Sequence, residues 1–525
     1  MTAILTLSIL PPLSFLAPLV LLAVAALAIA RPGRRPGRLP RLSEGAALAA
    51  LALAGAGLAQ LLAFGPSGPS TLQAPALQLD AVGATLTLLV AFIGWIVMRY
   101  ARTYLDGEAR EGRFHGLMLA ALAAVLVLAQ AGSLWLMLAA LVAVGLCLRR
   151  LLLFYAERPQ ARRAATKFAL VWHAGDVALA AAALLLWLGL GTADLAALAG
   201  IAGAGAGLPV AAHVAVALIV LAAALKTAAF PLHGWLTEVM EAPTPVSALL
   251  HAGIINAGGL LLIRSAELVQ ASPGAMGALV ILGGLTALFG SLVMLTQSAV
   301  KTALAWSTVA QMGFMLLQCG LGLWALALLH LVAHSLYKAH AFLGSGSAVR
   351  AVAAIRRPGP VAVPNLAAVL KSFALAVLLY AAVAAIFTTF TGPKPLQALA
   401  LGTMLILGTA YLVAQGLADA APAALTRRTA IAALGAAAGY FVFQLAADAL
   451  WGPHLPAPPL PGPLEWALIV LAVLSFAAVA VAQTLIPHWA HHPASAGLRV
   501  HLANGLYLNA VLDRLIGGFR TAKPN

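Results

Sequence analysis

Long apolar stretches separated by short polar connections make up most of the chain. A stretch of about 20 apolar residues forms a helix long enough to cross the hydrocarbon core of a membrane. The pattern predicts about 15 such spans, at 4–30, 45–64, 81–98, 114–131, 133–151, 168–190, 210–240, 246–270, 275–298, 302–320, 322–349, 366–391, 396–418, 429–451 and 464–486. The predicted fold class is therefore all-α: a polytopic membrane protein with one transmembrane domain over 1–486 and a more polar, amphipathic segment over 487–525.

The composition agrees with a membrane protein and excludes a soluble one. Hydrophobic residues make up 63% of the chain and charged residues 9%, with a mean hydropathy of +1.00. The formal net charge of +15 is typical of nucleic-acid-binding proteins, but here the basic residues lie in short clusters between apolar spans. Such clusters set membrane topology and do not form a face for phosphate groups. Cys147 and Cys319 are too few for a disulfide framework, and the sequence has no Cys/His cluster with metal-ligand spacing.

Basic residues are distributed very unevenly between the two sides of the predicted membrane. Most of them fall on one side, in the clusters 31–41, 99–113, 149–167, 301, 350–357, 427–428 and 499–523. Arg264 and Lys394 are expected at the opposite surface. Because basic loops stay in the cytoplasm, the pattern predicts a multi-pass protein of the cell inner membrane, with the N-terminus outside and the C-terminus in the cytoplasm.

The seventh span, 210–240, carries a lysine and is interrupted by proline. Lys226 lies in the apolar run VAVALIVLAAALKTAAFPLHGW, which also contains Pro231. Pro243 and Pro245 then precede a new apolar helix with His251 near its start. A titratable group inside an apolar span indicates a functional site, and backbone freed by a helix break is tolerated there only inside protein or beside a water-filled cavity. We expect a discontinuous helix on a path for protons or cations.

Three ionisable residues share one face of the eleventh span. His330, His334 and Lys338 recur every four residues in LLHLVAHSLYKAHAF, so they lie on one side of a helix. Histidine suits a proton relay because its charge changes near neutral pH. Lys301 lies just before the tenth span, where it is either a relay member or a topology anchor. Together with the lysine and histidine of the broken helix, these residues could form a chain of titratable groups across the protein.

A lysine buried in a membrane requires a carboxylate partner. Asp176 lies inside the sixth span, whereas Glu238 and Glu241 follow the break in the seventh. We expect Asp176 to be the partner of Lys226 because of its depth. Weakening this pair would favour release of the lysine's proton.

The choice of lysine supports a relay. The chain has seven lysines and 23 arginines, yet the basic residues expected within spans are the lysines Lys226, Lys338 and Lys371. Arginine does not lose its proton in proteins, whereas a desolvated lysine does. For Lys371 the favoured interpretation is a side chain that reaches the cytoplasmic surface.

Residues 78–350 resemble the antiporter-like, proton-conducting subunits of respiratory complex I and of Mrp-type cation/proton antiporters. The resemblance rests on motifs in the expected order: LDAVGATLTLLV, EGRFHGLML, VGLC, the GD pair at Gly175, KTAAFPLHGWLTEVMEAPTPVSALLHAG, SAVKTALAWSTVAQMGFMLLQCG and HLVAHSLYKAHAFLGSGSAV. It implies an antiporter-like fold with a discontinuous seventh helix.

The resemblance also implies a role for each matching residue. Lys226 would be the central lysine, His251 the next relay residue and Lys301 a connecting lysine. The stripe on the eleventh span would link them to a second half-channel. The sequence departs from the large complex I subunit at Val142, where that subunit has a glutamate, and it has no counterpart of that subunit's long lateral helix.

The motif HAGIINAGG at residues 251–259 is similar to the DabB group, the membrane subunits of DAB inorganic-carbon accumulation systems. In that group the membrane subunit pairs with DabA, a cytosolic zinc protein similar to β-carbonic anhydrases. The resemblance implies that this chain conducts protons or sodium ions and couples their flux to directional CO2 hydration and bicarbonate accumulation by the partner. It further implies that the chain is a transport subunit and not an enzyme, without a cofactor of its own, since the zinc belongs to the partner.

Three other functions stay open. The chain could be a proton-pumping subunit of a complex related to NADH–quinone oxidoreductase, an Mrp-type sodium/proton antiporter, or a structural anchor that conducts nothing. The sequence also leaves open whether the ion is H+ or Na+, and whether Lys371 or Lys394 marks the exit half-channel.

Overall fold

The computed structural model describes residues 11–66, 77–205, 207–347, 366–416, 423–485 and 492–515. After a 3-10 turn, the helices of the first half are α1 (Ala17–Ala30), α2 (Leu39–Phe64), α3 (Ala81–Tyr104), α4 (Glu111–Ala129), α5 (Leu134–Leu152), α6 (Pro159–Leu190), α7 (Leu195–Gly203), α8 (Val210–Lys226), α9 (Gly234–Thr237), α10 (Thr244–Ala252), α11 (Ala257–Arg264) and α12 (Ala266–Gln270).

Most helices of the second half are longer, and two short ones lie at its end. They are α13 (Pro273–Met294), α14 (Val300–Gly320), α15 (Trp324–Leu343), α16 (Leu366–Thr391), α17 (Leu396–Gly416), α18 (Ala423–Trp451), α19 (Pro463–Leu485), α20 (Pro493–Ala503) and α21 (Leu508–Leu515).

The structure confirms the all-α, polytopic membrane fold. Within the described ranges, eleven helices are long and apolar enough to cross a membrane, judged by length and composition. Helices α14 and α15, which match the tenth and eleventh predicted spans, are not among these eleven. Both are long enough, but polar and ionisable side chains interrupt their apolar sequence. Length and hydropathy in the described ranges thus support eleven spans, and the number of about 15 stays a prediction.

Three local features differ from the sequence-based expectation. Helix α7 occupies a stretch for which no element was predicted. Helix α8 ends at Lys226, before Pro231 is reached, so the proline does not itself end the helix. The helix predicted over 246–270 is interrupted after Ala252, where Gly253 leaves the helical conformation and a 3-10 turn follows.

Several polar connections meet at one end of the bundle, which we call the basic end. It is formed by the connections 31–38, 105–110, 153–158 and 227–243. Arg35 Nε lies 3.3 Å from Asp106 Oδ1, and Arg158 Nη1 lies 2.8 Å from Glu241 Oε2. These contacts place the arginine-rich connections on one side, as the alternation of basic clusters predicts.

A buried ion pair fastens the other end, which we call the far end. Arg264 is 8% exposed and forms an ion pair with Asp80, and its Nη2 donates to the carbonyl oxygen of Ala131 at 3.0 Å. Asp80 Oδ1 accepts from the Gly83 N–H at 2.7 Å and so caps α3. Arg264, which was expected at the surface opposite the basic clusters, is therefore buried in an ion pair at the far end and not exposed to solvent. A buried guanidinium requires such a carboxylate because an unpaired charge there is very costly.

The helices around the candidate site approach closely through glycine. A Cβ added to Gly283 would lie 2.4 Å from the backbone nitrogen of Leu317, and one on Gly313 would lie 2.4 Å from that of Ala287. Small residues of this kind let membrane helices pack backbone to backbone. They hold α13 against α14, which carries Thr308 into the site described below.

Replacing Arg264 with methionine should destabilise the protein by about 3–5 kcal/mol, because it leaves the Asp80 carboxylate buried without its partner. Burial raises the pKa of Asp80, but the charge of Arg264 and the Gly83 N–H together bring it below its ordinary value. A lowered carboxylate pKa stabilises the fold at neutral pH, and this stabilisation is lost as the pH falls through the folded-state pKa. The apparent melting temperature of the purified protein, measured from neutral to acidic pH, tests both effects.

The matched control is Arg35→Met, since the side chains of Arg35 and Asp106 are 73% and 62% exposed. An exposed pair contributes about 1 kcal/mol or less. Equal loss of stability in the two variants would contradict a special role for the buried pair.

Candidate ion-relay site

The first part of the site is a lysine buried at the end of a helix. Lys226 is 0% exposed, and its Nζ donates to Asp176 Oδ1 at 2.6 Å and to the carbonyl oxygen of Trp172 at 3.2 Å. The same ammonium lies 4.1 Å from the centre of a Trp172 ring. A carboxylate, a carbonyl oxygen and a π-face are the groups that stabilise a desolvated cation.

The local sequence explains why α8 ends there. Thr227 turns its hydroxyl back to the carbonyl oxygen of Ala223 at 2.8 Å, and Ala228 has a positive φ of 53°. The helix therefore stops with Lys226 in its last turn, where the unpaired carbonyl groups favour a positive charge. This places the ammonium group beside freed backbone in the protein interior.

Two further residues of α6 shape the environment of the pair. His173 Nδ1 lies 2.8 Å from the second carboxylate oxygen of Asp176, and its side chain is 36% exposed. A Cβ added to Gly175 would lie 3.4 Å from Cε and Cγ of Lys226, so glycine lets α6 and α8 approach closely. His173 therefore shares the carboxylate that pairs with Lys226.

The second part of the site is the predicted stripe on α15. His334 Nε2 lies 3.2 Å from the carbonyl oxygen of His251, and Lys338 Nζ donates to the carbonyl oxygen of Leu304 at 2.9 Å. His330 Nδ1 lies 2.8 Å from Gln318 Oε1. His334 and Lys338 are buried, whereas His330 is partly buried. The three residues therefore face α10 and α14 as one polar stripe.

His251 joins the stripe from α10. Its Nδ1 lies 3.0 Å from Thr308 Oγ1 on α14, and its ring stacks on Phe342 of α15 with centroids 4.3 Å apart. It lies in the last turn of α10 and not near the start of a long helix, because the chain breaks at Gly253. Pro243 and Pro245 stand at the beginning of α10, and this second break brings the His251 carbonyl to His334.

Each of the three histidines has one ring nitrogen bonded and one unpaired. His251 Nε2, His330 Nε2 and His334 Nδ1 are buried without a hydrogen-bond partner among the described residues. An unsatisfied buried polar atom costs about 1–3 kcal/mol, so most proteins avoid it. Three unpaired histidine nitrogens around one polar stripe suit groups that must take up and pass on protons.

The structure brings the predicted residues together as two clusters and not as one chain. Lys226, Asp176 and His173 lie between α6 and α8, whereas the stripe and His251 lie between α10, α14 and α15. No hydrogen bond or ion pair within the described ranges joins the two. Lys301 is partly buried at the start of α14 and makes no such contact with either cluster.

A third polar cluster was not predicted. Lys167 was assigned to a topology cluster, yet it is 5% exposed and its Nζ lies 2.8 Å from Glu238 Oε1 and 2.6 Å from Asp513 Oδ1. Arg163 also pairs with Asp513, and Asn509 bonds to Glu238. The signal in the sequence was Asp513, the single acidic residue of the segment 487–525.

This third cluster holds α20 and α21 against the broken helix. Asn509 lies so close to Gly234 that a Cβ there would lie 1.8 Å from Asn509 Oδ1. Gly505 packs under Trp306, and Gln297 Nε2 donates to the carbonyl oxygen of Ala503 at 3.2 Å. The C-terminal segment 493–515 thus covers the break in the helix at the basic end.

No group of three His, Cys, Asp or Glu side chains in the described ranges is placed to hold a metal ion. The two relay clusters instead contain the lysines Lys226 and Lys338, the carboxylate of Asp176 and histidine imidazoles. Such groups can bind, hold and hand over protons, which is the chemistry that the arrangement supports.

Comparison with known proteins gives a consistent picture. Residues 131–421 match the family described as NADH:quinone oxidoreductase/Mrp antiporter, TM, and residues 74–115 match that of NADH-ubiquinone oxidoreductase (complex I), chain 5 N-terminus. Among solved structures, one chain of the Mrp complex from Dietzia sp. DQ12-45-1b superposes with a TM-score of 0.63 at 25% identity. The match covers 97% of the present chain and 60% of that chain.

Two curated relatives are similar over most of the sequence. The probable inorganic carbon transporter subunit DabB2 of Halothiobacillus neapolitanus is 40% identical over 456 residues, which is 85% of this chain and 81% of that protein. NADH-quinone oxidoreductase subunit L of Mycobacterium tuberculosis is 31% identical over 469 residues, which is 85% of this chain and 70% of that protein. A second probable inorganic carbon transporter subunit, DabB of Hydrogenovibrio crunogenus, is 44% identical over about half of each chain.

Replacing Asp513 with asparagine should loosen the C-terminal segment, because it removes the carboxylate that pairs with Lys167 and Arg163. Amide hydrogen exchange in α20 and α21 should accelerate by about tenfold or more, while exchange in α6 and α8 stays slow. Hydrogen–deuterium exchange with mass spectrometry measures this, and Asp106→Asn, at an exposed pair of the same end, is the control. Unchanged protection of α21 would show that the polar cluster does not hold the segment.

Proposed function

The chain belongs to the NADH:quinone oxidoreductase/Mrp antiporter transmembrane family, and from this we propose that it is the cation-conducting membrane subunit of an inorganic-carbon transporter. The observation that carries the proposal is the buried Lys226–Asp176 pair at the end of a broken helix. A protein that needed only packing would not retain a desolvated charge there. The similarity to DabB2 over 81% of that protein's length supports carbon transport as the process served.

In this proposal the membrane potential supplies the driving force. A cation crossing the membrane potential releases about 2.3 kcal/mol per 100 mV from the electrical term alone. In the proposed sequence a proton reaches the Lys226–Asp176 pair, and its charge weakens the attraction between the two. The lysine's proton then passes towards His251 and the α15 stripe, a transfer that requires the two clusters to come into contact or to be joined by water. For a sodium flux the same side chains would alternate between paired and unpaired states, and the sodium ion itself would not bind to them.

The proposed orientation puts the basic end in the cytoplasm. Basic connections stay on the cytoplasmic side of the inner membrane. The C-terminal segment would then lie between the broken helix and the cytosol. A cytosolic zinc subunit similar to DabA is the proposed partner, and the segment that covers Gly234 and Glu238 is its proposed docking surface. Movement at the break would reach that partner through Asn509, which bonds to Glu238, and through Asp513, which pairs with the Lys167 that also contacts Glu238.

A second function has a specific observation in its favour. The identity to subunit L of NADH-quinone oxidoreductase and the Mrp-like fold suit a proton-pumping or sodium/proton-exchanging subunit of a larger complex. Val142 argues against the redox complex, because α5 then lacks the glutamate found there in the large complex I subunit. Co-purification from native membranes separates the two: a zinc-containing soluble partner supports carbon transport, whereas redox or further antiporter subunits would replace that proposal.

Lys226→Ala and Lys226→Arg should each abolish bicarbonate accumulation while the complex still assembles. Arginine keeps the positive charge but does not release its proton, so the relay fails even where the ion pair is retained. Uptake of labelled inorganic carbon by cells measures the effect, and assembly is checked by co-purification. Arg150→Ala is the control, since Arg150 is an exposed cation at the end of α5 that belongs to neither relay cluster. Normal uptake with Lys226→Arg would exclude proton release at this position and favour a structural pair.

A further inference from the structure

A cavity of about 220 Å³ lies at the far end, between the start of α15, the end of α18 and the proline-rich connection that follows it. It is large enough for several water molecules. Its lining includes Leu326, Pro395, Gln444, Asp448 and Leu455. None of these residues belongs to the relay clusters described above.

The rim of this cavity is held in place by side-chain amides. Gln270 Nε2 donates to the carbonyl oxygen of Ala457 at 2.8 Å, and Gln270 Oε1 accepts from Trp324 Nε1 at 2.8 Å. Gln397 Nε2 donates to the carbonyl oxygen of Pro459 at 2.6 Å. The connection is therefore fixed over the opening by bonds from two other parts of the fold.

The polar groups in the cavity favour a cation. Gln444 is 2% exposed and its Oε1 has no hydrogen-bond partner among the described residues. Asp448 is exposed at the mouth and is the charged residue of the lining. Lys394 lies within electrostatic reach of Asp448 without ion-pair contact in the described part of the chain. The free N–H groups in the first turn of α15 act together as about half a positive charge. The full negative charge of Asp448 is larger, so the cavity favours a cation.

The part of the cavity lined by Leu326 lies near the relay stripe on α15. Leu326 stands four residues before His330 on the same face of α15, a rise of about 6 Å. The Leu323 N–H donates to the carbonyl oxygen of Gln318 at 3.0 Å, and Gln318 Oε1 lies 2.8 Å from His330 Nδ1. The unpaired Nε2 of His330 is the relay nitrogen one helical turn from the cavity floor.

We propose that this cavity is the far-end vestibule of the ion path, in which Asp448 and Gln444 gather a hydrated monovalent cation next to His330. The inference rests on the proposed cation conduction and adds the site where the cation meets the solvent at that end. Acceptor oxygens and one carboxylate suit a hydronium or a hydrated sodium ion equally. The vestibule also favours Lys394 over Lys371 as the residue that marks the exit half-channel. Pro395, next to Lys394, lines the cavity, whereas Lys371 lies near the other end of α16.

The charge preference of the vestibule can be measured without any transport assay. In Leu455→Cys the thiol lines the cavity, and it should react faster with a positively charged methanethiosulfonate than with a negatively charged one. After correction for intrinsic reactivity we expect a preference of roughly threefold, which Asp448→Asn should remove. Leu460→Cys, at a position 97% exposed in the same connection, is the matched control and should show a smaller preference. The unmodified chain, with Cys147 and Cys319, gives the background.

Two results would overturn the proposal on this measurement. One is a Leu455→Cys thiol that reacts with neither reagent, which would mean that the cavity is closed to ions. The other is a preference for the negative reagent, which would mean that the start of α15 makes an anion site.

Flux measurements connect the vestibule to transport. In proteoliposomes of the purified complex, Asp448→Asn should lower the initial cation flux by roughly threefold when the cation at the far end is limiting, and less at saturation. Glu465→Gln, a carboxylate at the start of α19 outside the cavity lining, should behave like the unmodified chain. Parallel runs with a proton gradient and with a sodium gradient identify which cation the vestibule serves.

Failure of the vestibule and failure of the proposed function give different results. If Lys226→Ala conducts normally, the proposed conduction itself is wrong. If Lys226→Ala blocks flux while Asp448→Asn equals the unmodified chain under limiting cation, conduction stands and the vestibule is wrong.

Discussion

The ion pair between Lys226 and Asp176 is the constraint on which the rest of the molecule depends. The Lys226 ammonium has no exposure, and the Asp176 carboxylate 2.6 Å away offsets the cost of removing its charge from water. That pairing explains why α8 stops at Lys226, why a glycine of α6 faces the lysine's alkyl chain, and why Trp172 covers the ammonium. Packing alone would not require any of these three features.

The second cluster is also built at an interruption of a helix. The break after Ala252 frees backbone groups inside the protein, and polar side chains take them up: Asn256 Nδ2 donates to the carbonyl oxygen of Ala252 at 3.1 Å and to Ser335 Oγ at 2.7 Å. The break also turns the His251 carbonyl towards His334. The interrupted helix thus supplies a backbone carbonyl to the relay stripe in the protein interior, where membrane proteins tolerate such groups.

Sequence alone predicted the features that depend on local pattern. Periodicity located the long helices, the four-residue spacing placed His330, His334 and Lys338 on one face, and depth selected Asp176 over Glu238. It could not predict contacts between distant segments. Arg264 was expected at a surface because no pattern reveals that Asp80 stands opposite it. Lys167 was counted with topology residues because its partner Asp513 lies hundreds of positions away. The break at Gly253 was missed because glycine between apolar residues is common in membrane helices.

The long separation between Asp513 and its partners on α6 has a consequence for biogenesis. During synthesis Arg163 and Lys167 leave the ribosome well before α21, so no carboxylate from the C-terminal segment yet offsets them. Uncompensated positive charge beside an emerging helix is what keeps a loop on the side of synthesis. The two residues would therefore first act as a retention signal for α6 and later, once the last helix arrives, become neutralised components of the finished fold.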